Sequence, residues 1–275
     1  MSSTVLVTAS TERAVSQAVG RRVRDWLPAA VVFVGAIGLW EGVVDAFHIQ
    51  RFLLPKPSGI AQALWDQGGQ LWHAGWYTFQ EAFGGFVIGS LLGILFALAL
   101  ARWKRTGDAL MPYLIAANAV PIIAFAPITN AWFGLLNPHS KMVIAGVLCF
   151  FPVLVNTLRG LTSVRPSSIE LMRSYAAGEL EIFRRVRIPT SLPFMFAGLK
   201  VATVLSMIGA IVGEYFGGST QALGVQIENS VALFQFETGW AAIVVASVLG
   251  IAFYASISVL ERLTTGWLPS SRAAD

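Results

Sequence analysis

Polar side chains within the long apolar stretches are the residues of this chain that could act on a solute. Glu214 ends one such stretch, and an acid inside a membrane is by default a candidate for binding a solute or an ion. The alternative is that Glu214 only caps the outer end of its helix. Asn130 and Asn118 offer amide hydrogen bonds, and Trp132 and Tyr215 offer aromatic rings. This combination suits a small organic solute better than a bare ion.

The segment that carries both asparagines is also rich in proline. Pro112, Pro121 and Pro127 fall within residues 110–133. Proline removes a backbone donor and kinks a helix, and in lipid the freed carbonyls need protein or a water-filled cavity. The pattern predicts a segment that lines a transport path, while a kink required only for packing is the alternative. The predicted path residues are Asn118, Pro121, Pro127, Asn130, Trp132, Glu214 and Tyr215.

Other chemistry is not indicated by the sequence. It has no Gly-x-x-x-x-Gly-Lys-Ser/Thr phosphate loop, no Gly-x-Ser-x-Gly elbow and no His-Glu-x-x-His pair. The single cysteine, Cys149, lies in an apolar run and reads as a packing residue. The three histidines (His48, His73 and His139) are scattered in sequence and indicate no metal site. We therefore expect no catalytic residue, metal or cofactor, and any ATP hydrolysis must occur on a separate subunit.

The composition defines the elements that must position these residues. The chain is 55% hydrophobic and 12% charged, with a mean hydropathy of +0.66, and its apolar residues come in long blocks. A bilayer core requires about 20 apolar residues per helix. The sequence predicts an all-α, polytopic membrane protein with six spans, at about residues 26–47, 77–101, 110–133, 141–159, 193–216 and 237–261. Residues 51–75 are predicted to be a Trp-rich connector. Glycines at four-residue spacing in span 2 (Gly84, Gly85, Gly89 and Gly93) predict close helix contact.

The distribution of positive charge predicts the orientation. With six spans, sixteen of the 19 Lys and Arg residues fall on one side, which is then cytoplasmic. Residues 1–25 and 266–275 are predicted cytoplasmic tails, and residues 26–265 form the membrane domain. Lys200 is expected to extend its amine to the cytoplasm. The net charge of +4 follows from this topology and indicates no nucleic-acid partner.

The longest charged interval, residues 159–200, predicts a cytoplasmic loop with two short helices. Ser167 and Glu170 have capping-box spacing, and Gly178 is expected to stop the first helix. Glu179 and Glu181 open the second helix, three arginines close it, and Pro189 is expected to end it. The small residues Ala176, Ala177 and Gly178 would form a tip that a partner protein could grip.

These residues also carry a family resemblance. Glu170, Ala176, the pairs Ile188-Pro189 and Leu192-Pro193, and the run Ala197-Gly198-Leu199-Lys200 resemble the EAA loop of ABC-importer permeases. Leu171 and Met172 replace the two alanines of that pattern, and Ala176 replaces its glycine. Leu54-Pro55-Lys56-Pro57-Ser58, Pro121 and Ala126-Pro127 extend the resemblance towards nitrate/sulfonate/taurine and pyrimidine/riboflavin-type permeases.

The resemblance implies a coupling loop at residues 159–193, between spans 4 and 5. It also implies an ATPase-contacting set made of Glu170, Arg173, Ala176, Ala177 and Gly178. The implied partners are cytoplasmic ABC ATPase subunits, a second permease copy, an extracytoplasmic solute-binding protein and the lipid of a bacterial inner membrane.

Two other classes of protein are the alternatives. A self-contained, ion-coupled secondary transporter should show intramembrane charge pairs or repeat-related broken helices. The sequence shows acids near span ends and no evident repeat. A membrane-embedded enzyme would need a nucleophile-base constellation, and none is present.

Overall fold

The structure is a computed structural model that describes residues 27–117 and 120–266. Within those ranges the chain is helical between short turns and has no β-strand, which confirms the all-α prediction. The predicted tail 1–25, almost all of the predicted tail 266–275, and Asn118 lie outside the described residues. The chain divides after Ala63 into two units.

The first unit contains helix α1 (Leu27–Ala46) and the start of helix α2 (Pro57–Arg102). α1 has 20 residues, enough to cross a bilayer. Glu41 accepts hydrogen bonds from the Ser58 backbone amide at 3.0 Å and the Ser58 hydroxyl at 2.6 Å. Lys56 forms an ion pair with Asp45. Because Ser58 lies in the first turn of α2, Glu41 satisfies an amide that the helix itself leaves free.

α2 is longer than predicted. It has 46 residues, so it is about 69 Å long at about 1.5 Å per residue, whereas a hydrocarbon core is about 30 Å thick. The predicted connector at residues 51–75 is therefore helical from Pro57 onwards and continuous with span 2. Trp65 is 90% exposed, as expected for tryptophan outside the hydrocarbon core. Gly68 and Gly69 do not end the helix.

The second unit contains the remaining elements. In chain order these are α3 (Lys104–Ala117), a 3₁₀ turn (Ile122–Phe125), α4 (Ala126–Phe133), α5 (Pro138–Thr162), α6 (Pro166–Ser174), α7 (Glu179–Ile182), a π-helical turn (Phe183–Arg187), α8 (Ile188–Tyr215), α9 (Leu223–Ala232) and α10 (Phe236–Thr265). α9 was not predicted from the sequence.

Five helical segments of the described chain are long and apolar enough to cross a membrane: α1, α2, α5, the continuous segment Glu179–Tyr215, and α10. The predicted third span is instead a bent pair, Ala109–Ala117 and Ile122–Phe133, which makes a sixth span if the pair is counted as one. Pro121 lies at the break. It disfavours helix in the residue before it and cannot donate a backbone hydrogen bond. The predicted kink is confirmed.

α5 and α8 pack together at the centre of this unit, and α2 lies against α5. A β-carbon added to Gly85 would lie 2.6 Å from the Met142 carbonyl oxygen, and one added to Gly89 would overlap the backbone of Gly146. The predicted close contact of the span 2 glycines is thus confirmed. Buried side chains of α2, α5, α8 and α10 form a shared apolar core of Phe86, Cys149, Val153, Phe196, Leu199, Ala202 and Phe253.

The prediction that Pro189 ends a helix was wrong. The chain stays helical from Glu179 to Tyr215, with Pro189 in the first turn of α8 and Pro193 within it. The π-helical turn Phe183–Arg187 stands immediately before Pro189. In the wider π-helical turn the ring of Pro189 is accommodated, and the helix continues although proline has no backbone N–H to donate.

Candidate functional site

The predicted ATPase-contacting residues lie on a small helical hairpin between α5 and α8. Glu170 and Arg173 belong to α6, and Ala176, Ala177 and Gly178 form the turn that leads into α7. Four of these side chains or positions are exposed, and Ala177 is half-buried. The structure therefore brings the whole predicted set together on one projecting segment.

The turn has the hydrogen bonds of a Schellman motif. The Ala177 amide donates to the Met172 carbonyl at 3.1 Å, and the Ala176 amide donates to the Arg173 carbonyl at 2.9 Å. Ala176 has a φ of +57°, the left-handed conformation in which glycine is usual. The stop residue is thus Ala176. Gly178, predicted to be the stop, has an ordinary φ of −73° and precedes α7.

An ion pair braces the hairpin across its turn. Nη2 of Arg173 lies 2.8 Å from Oε1 of Glu179, and Nε of Arg185 lies 3.2 Å from Oε1 of Glu181. Both pairs are exposed, where such pairs contribute at most about 1 kcal/mol each. The Arg173–Glu179 pair joins α6 to α7 across the turn, whereas the Arg185–Glu181 pair lies within the second helical segment.

The predicted capping box was wrong. α6 begins at Pro166 with Arg165 as its N-cap residue, and it has no side-chain cap hydrogen bond. Proline is well suited to the first helical position, so the helix begins two residues earlier than a Ser167 cap predicts and Ser167 falls inside its first turn. Glu170 lies in the middle of α6 with its side chain exposed, and it does not cap the helix.

The hairpin also exposes large apolar side chains that sequence reasoning missed. Leu171 is 57% exposed, Tyr175 is 77% exposed and Leu180 is 71% exposed. Exposed apolar groups of this size, surrounded by arginine, are typical of a protein-binding surface. In the sequence, these apolar residues stand among charged and polar residues of the loop, and that contrast was the available signal for a binding surface.

A second set of predicted residues converges where α4 approaches α5 and α8. Asn130 is 6% exposed, and its Nδ2 donates to the Phe216 carbonyl at 3.0 Å. Nζ of Lys141, which is fully buried, donates to Oδ1 of Asn130 at 3.3 Å and to the Leu135 carbonyl at 2.5 Å. Asn130 therefore ties the broken span to the start of α5 and the end of α8.

Glu214 is fully buried beside this contact. Its Oε2 accepts a hydrogen bond from the Gly224 amide at 2.6 Å, and Thr78 of α2 accepts one from the Leu223 amide at 2.9 Å. Both amides belong to the first turn of α9, where backbone amides have no hydrogen-bond partner within the helix. Glu81, 2% exposed on α2, interacts electrostatically with Glu214 and Lys141. We call Glu81, Lys141 and Glu214 the buried charge cluster.

The remaining predicted path residues lie outside this cluster. Trp132 is 71% exposed and Tyr215 is 40% exposed. Pro121 and Pro127 flank the 3₁₀ turn and are exposed. Lys200, expected to extend to the cytoplasm, pairs with Glu261 of α10 at 2.8 Å.

Sequence reasoning missed Glu81 and Lys141. Both lie at or near the ends of the predicted spans 77–101 and 141–159. A signal was present, because two glutamates and one lysine at span ends need partners of opposite charge wherever the spans meet. It could not identify the partners, since 60 or more residues separate them along the chain.

Comparison with known proteins agrees with this architecture. The family profile described as "Binding-protein-dependent transport system inner membrane component" matches residues 89–266. The formylaminopyrimidine transport permease protein ThiX of Halalkalibacterium halodurans is 33% identical over 243 residues, covering 88% of this chain and 96% of the relative. The riboflavin transport system permease protein RibX of Chloroflexus aurantiacus is 30% identical over 230 residues, covering 83% and 85%.

A solved structure has a similar fold. A chain of the MetNI methionine ABC transporter in an inward-facing conformation superposes with a TM-score of 0.51 at 20% identity, covering 77% of this chain and 99% of that chain. At this identity the match bears on the arrangement of helices alone.

Proposed function

Since the chain belongs to the family of binding-protein-dependent transport system inner membrane components, we propose that it carries a small heteroaromatic solute, of the pyrimidine or flavin type, into a bacterial cell. The chain is a multi-pass transmembrane permease subunit of an ABC importer. Such permeases are transport subunits that work with a separate ATPase and a solute-binding protein. The specific solute, partners and residues that follow are part of the proposal.

The hairpin formed by α6 and α7 is the element that receives force from the ATPase. The observation that carries this assignment is its exposed tip, Ala176 to Gly178, held rigid by the Arg173–Glu179 pair. Small residues allow close backbone approach, while Tyr175 and Leu171 can fill pockets on the partner. Glu170 lies exposed on the same helix and can contact the partner's rim.

The assembly contains two copies of this permease, two cytoplasmic ATPase subunits and an extracytoplasmic binding protein. ATP hydrolysis takes place on the ATPase subunits. The hairpin and both termini face the cytoplasm, because sixteen of the 19 Lys and Arg residues fall on that side. The exposed apolar faces of α1 and α10 meet lipid or the second copy.

The transport path runs along the broken span. Trp132 and Tyr215 are the exposed aromatic side chains among the predicted lining residues, and Pro121 and Pro127 hold the irregular backbone beside them. Asn130 and Glu214 are buried behind this region and hold its backbone through hydrogen bonds to the Phe216 carbonyl and the Gly224 amide. Asn118 is proposed as a lining residue from the sequence pattern alone.

A heteroaromatic solute fits this lining better than a sulfonate- or nitrate-like anion. Aromatic rings offer stacking faces to a flat solute. An anion would need an available positive group near the path, whereas Lys141 is fully buried and Lys200 is paired with Glu261. The names of the two relatives, which specify formylaminopyrimidine and riboflavin, support the same choice.

The decisive experiment identifies the binding protein by pull-down and mass spectrometry, and then reconstitutes it with the permease and ATPase in liposomes. We expect ATP-dependent uptake of labelled formylaminopyrimidine or riboflavin and no uptake of taurine. Uptake of taurine or nitrate alone would overturn the solute assignment. It would leave the permease assignment intact.

An ion-coupled secondary transporter is the second candidate, and the buried charge cluster is the observation that favours it. Intramembrane charge pairs are expected in that class. The same liposomes separate the two functions. Uptake driven by an ion gradient, without ATPase or ATP, would support the second candidate.

A further inference from the structure

The buried charge cluster lies outside the α6–α7 hairpin. Glu81 is 2% exposed, and Lys141 and Glu214 are fully buried. They come from three different helices, α2, α5 and α8. Burying ionisable groups is costly unless they are paired and hydrogen-bonded, so each of the three requires a balancing partner.

The charges of the cluster do not balance as they stand. If both carboxyl groups were ionised, two negative charges would face one ammonium group. The other polar groups of the described residues that face the cluster are neutral in charge. From α2 these are Tyr77 and Thr78, from α4 Asn130, from α8 Tyr215, and from α9 the amides of Leu223 and Gly224. A net negative charge would therefore remain among buried groups.

Two oxygen atoms of the cluster are incompletely bonded in the same place. Oε2 of Glu81 and Oε1 of Glu214 are buried and have no hydrogen-bond partner among the described residues. The two carboxyl groups interact electrostatically with one another, and both interact with Lys141. Carboxylates only accept, so two ionised groups cannot satisfy each other, whereas a protonated one can donate to its neighbour.

Other occupants fit less well than a proton. Within the described ranges no group of three His, Cys, Asp or Glu residues is placed to hold a metal ion. The ammonium group of Lys141 already supplies a positive charge and bonds to Asn130 and the Leu135 carbonyl. The deficit is one positive charge and one donor, and a single proton supplies both.

The cluster also secures the end of the path. Glu214 holds the first turn of α9 through the Gly224 amide, and Thr78, one turn before Glu81, holds it through Leu223. Asn130, bonded to Lys141, holds the Phe216 carbonyl at the start of the turn that leads to α9. Residues 216–222 are thus fixed at both ends by groups of the cluster or their direct partners.

We propose that Glu81 and Glu214 share one bound proton, and that the resulting neutral Glu81–Lys141–Glu214 cluster latches α9 and residues 216–222 onto the bundle. This proton-binding site does not require the proposed solute. Loss of the proton leaves a net negative charge in the cluster and weakens the hold on α9. Because the protonated form is the stable one, stability from this site is lost as the pH rises.

Infrared spectroscopy of the full-length permease in nanodiscs tests the bound proton directly. We expect a C=O stretch of a protonated, buried carboxyl group in the parent protein at neutral pH, and its loss in both Glu81→Gln and Glu214→Gln. Glu228→Gln is the matched control, because Glu228 is exposed on α9. A parent protein without this absorption, or an absorption that persists in both cluster variants, would overturn the proposal.

Thermal unfolding across pH tests the latch with a second measurement. The parent should lose stability as the solution becomes alkaline, whereas Glu81→Gln, which cannot lose that proton, should lose less and should stay folded at neutral pH. Lys141→Met should be destabilised at every pH, because it leaves Glu214 without its charge partner. If Glu81→Gln and the parent show the same alkaline loss, the shared proton does not hold the latch. If Glu81→Gln fails to fold, the infrared result for Glu214→Gln decides.

Discussion

At the residue scale, Ala176 is the most constrained position of the hairpin. Its φ of +57° lies in the left-handed region, which costs an L-residue other than glycine about 1–2 kcal/mol. The two Schellman hydrogen bonds around it hold the chain there. The family pattern has glycine at this position, so the alanine retains the turn at an energetic cost.

Ala176→Gly should stabilise the hairpin locally by about 0.5–1 kcal/mol. The free energy gained by relieving the strained φ is partly offset by the greater conformational freedom of glycine in the unfolded chain. Amide hydrogen exchange at Ala177 measures the effect, and protection should increase by roughly two- to five-fold, as this free energy implies.

Gly178→Ala is the control for this change. Gly178 has an ordinary φ of −73°, and a β-carbon there would meet nothing within 4 Å. Exchange at Ala177 should then be almost unchanged. Lower protection in Ala176→Gly than in the parent would mean that the turn is not strained.

At the element scale, hydropathy predicted most spans because a membrane helix needs an unbroken apolar stretch. It failed where local signals competed with packing. Pro189 suggests an end, yet α8 packs along α5 and the π-helical turn absorbs the proline. Pro166 starts α6 two residues earlier than the Ser167 cap would.

Of the two candidate sites, one could be predicted from the sequence and the other could not. The hairpin tip could be predicted because its residues are neighbours in sequence. The buried charge cluster could not, because Glu81, Lys141 and Glu214 meet only through the packing of three helices. The left-handed φ of Ala176 could not be predicted from the sequence either, since alanine rarely adopts that conformation.

The contact between α2 and α5 gives a direct test of element packing. A β-carbon at Gly89 would overlap the backbone of Gly146, which cannot move aside as a flexible side chain would. Gly89→Ala should therefore cost about 1–3 kcal/mol or more through overpacking. We expect less monodisperse protein after extraction and a lower thermal midpoint.

Gly38→Ala in α1 is the matched control, because a β-carbon there meets nothing within 4 Å. It should leave both measurements close to those of the parent. If Gly89→Ala behaves like Gly38→Ala, α2 and α5 do not approach as closely as described.

At the scale of the whole molecule, the proposed orientation rests on the positive charge assigned to the hairpin side. Single cysteines at Ser174 and Ser219 test it. The native Cys149 is fully buried and should not react, so the parent protein is an unlabelled background. A membrane-impermeant thiol reagent should label Ser174→Cys from the cytoplasmic side and Ser219→Cys from the outside. The reverse pattern would contradict the topology.

The central claim is that the hairpin tip couples this permease to its ATPase, and association of the two subunits tests it most directly. Ala177→Glu places a charge without a partner in the buried contact, which should cost about 3 kcal/mol and weaken association more than about a hundredfold. Ser167→Glu adds the same charge to the first turn of α6, away from the tip, and serves as the control. We expect Ala177→Glu to reach the membrane in normal amount but to lose ATPase co-purification and uptake, while Ser167→Glu retains both. An Ala177→Glu variant that keeps its ATPase and transports normally would contradict the account.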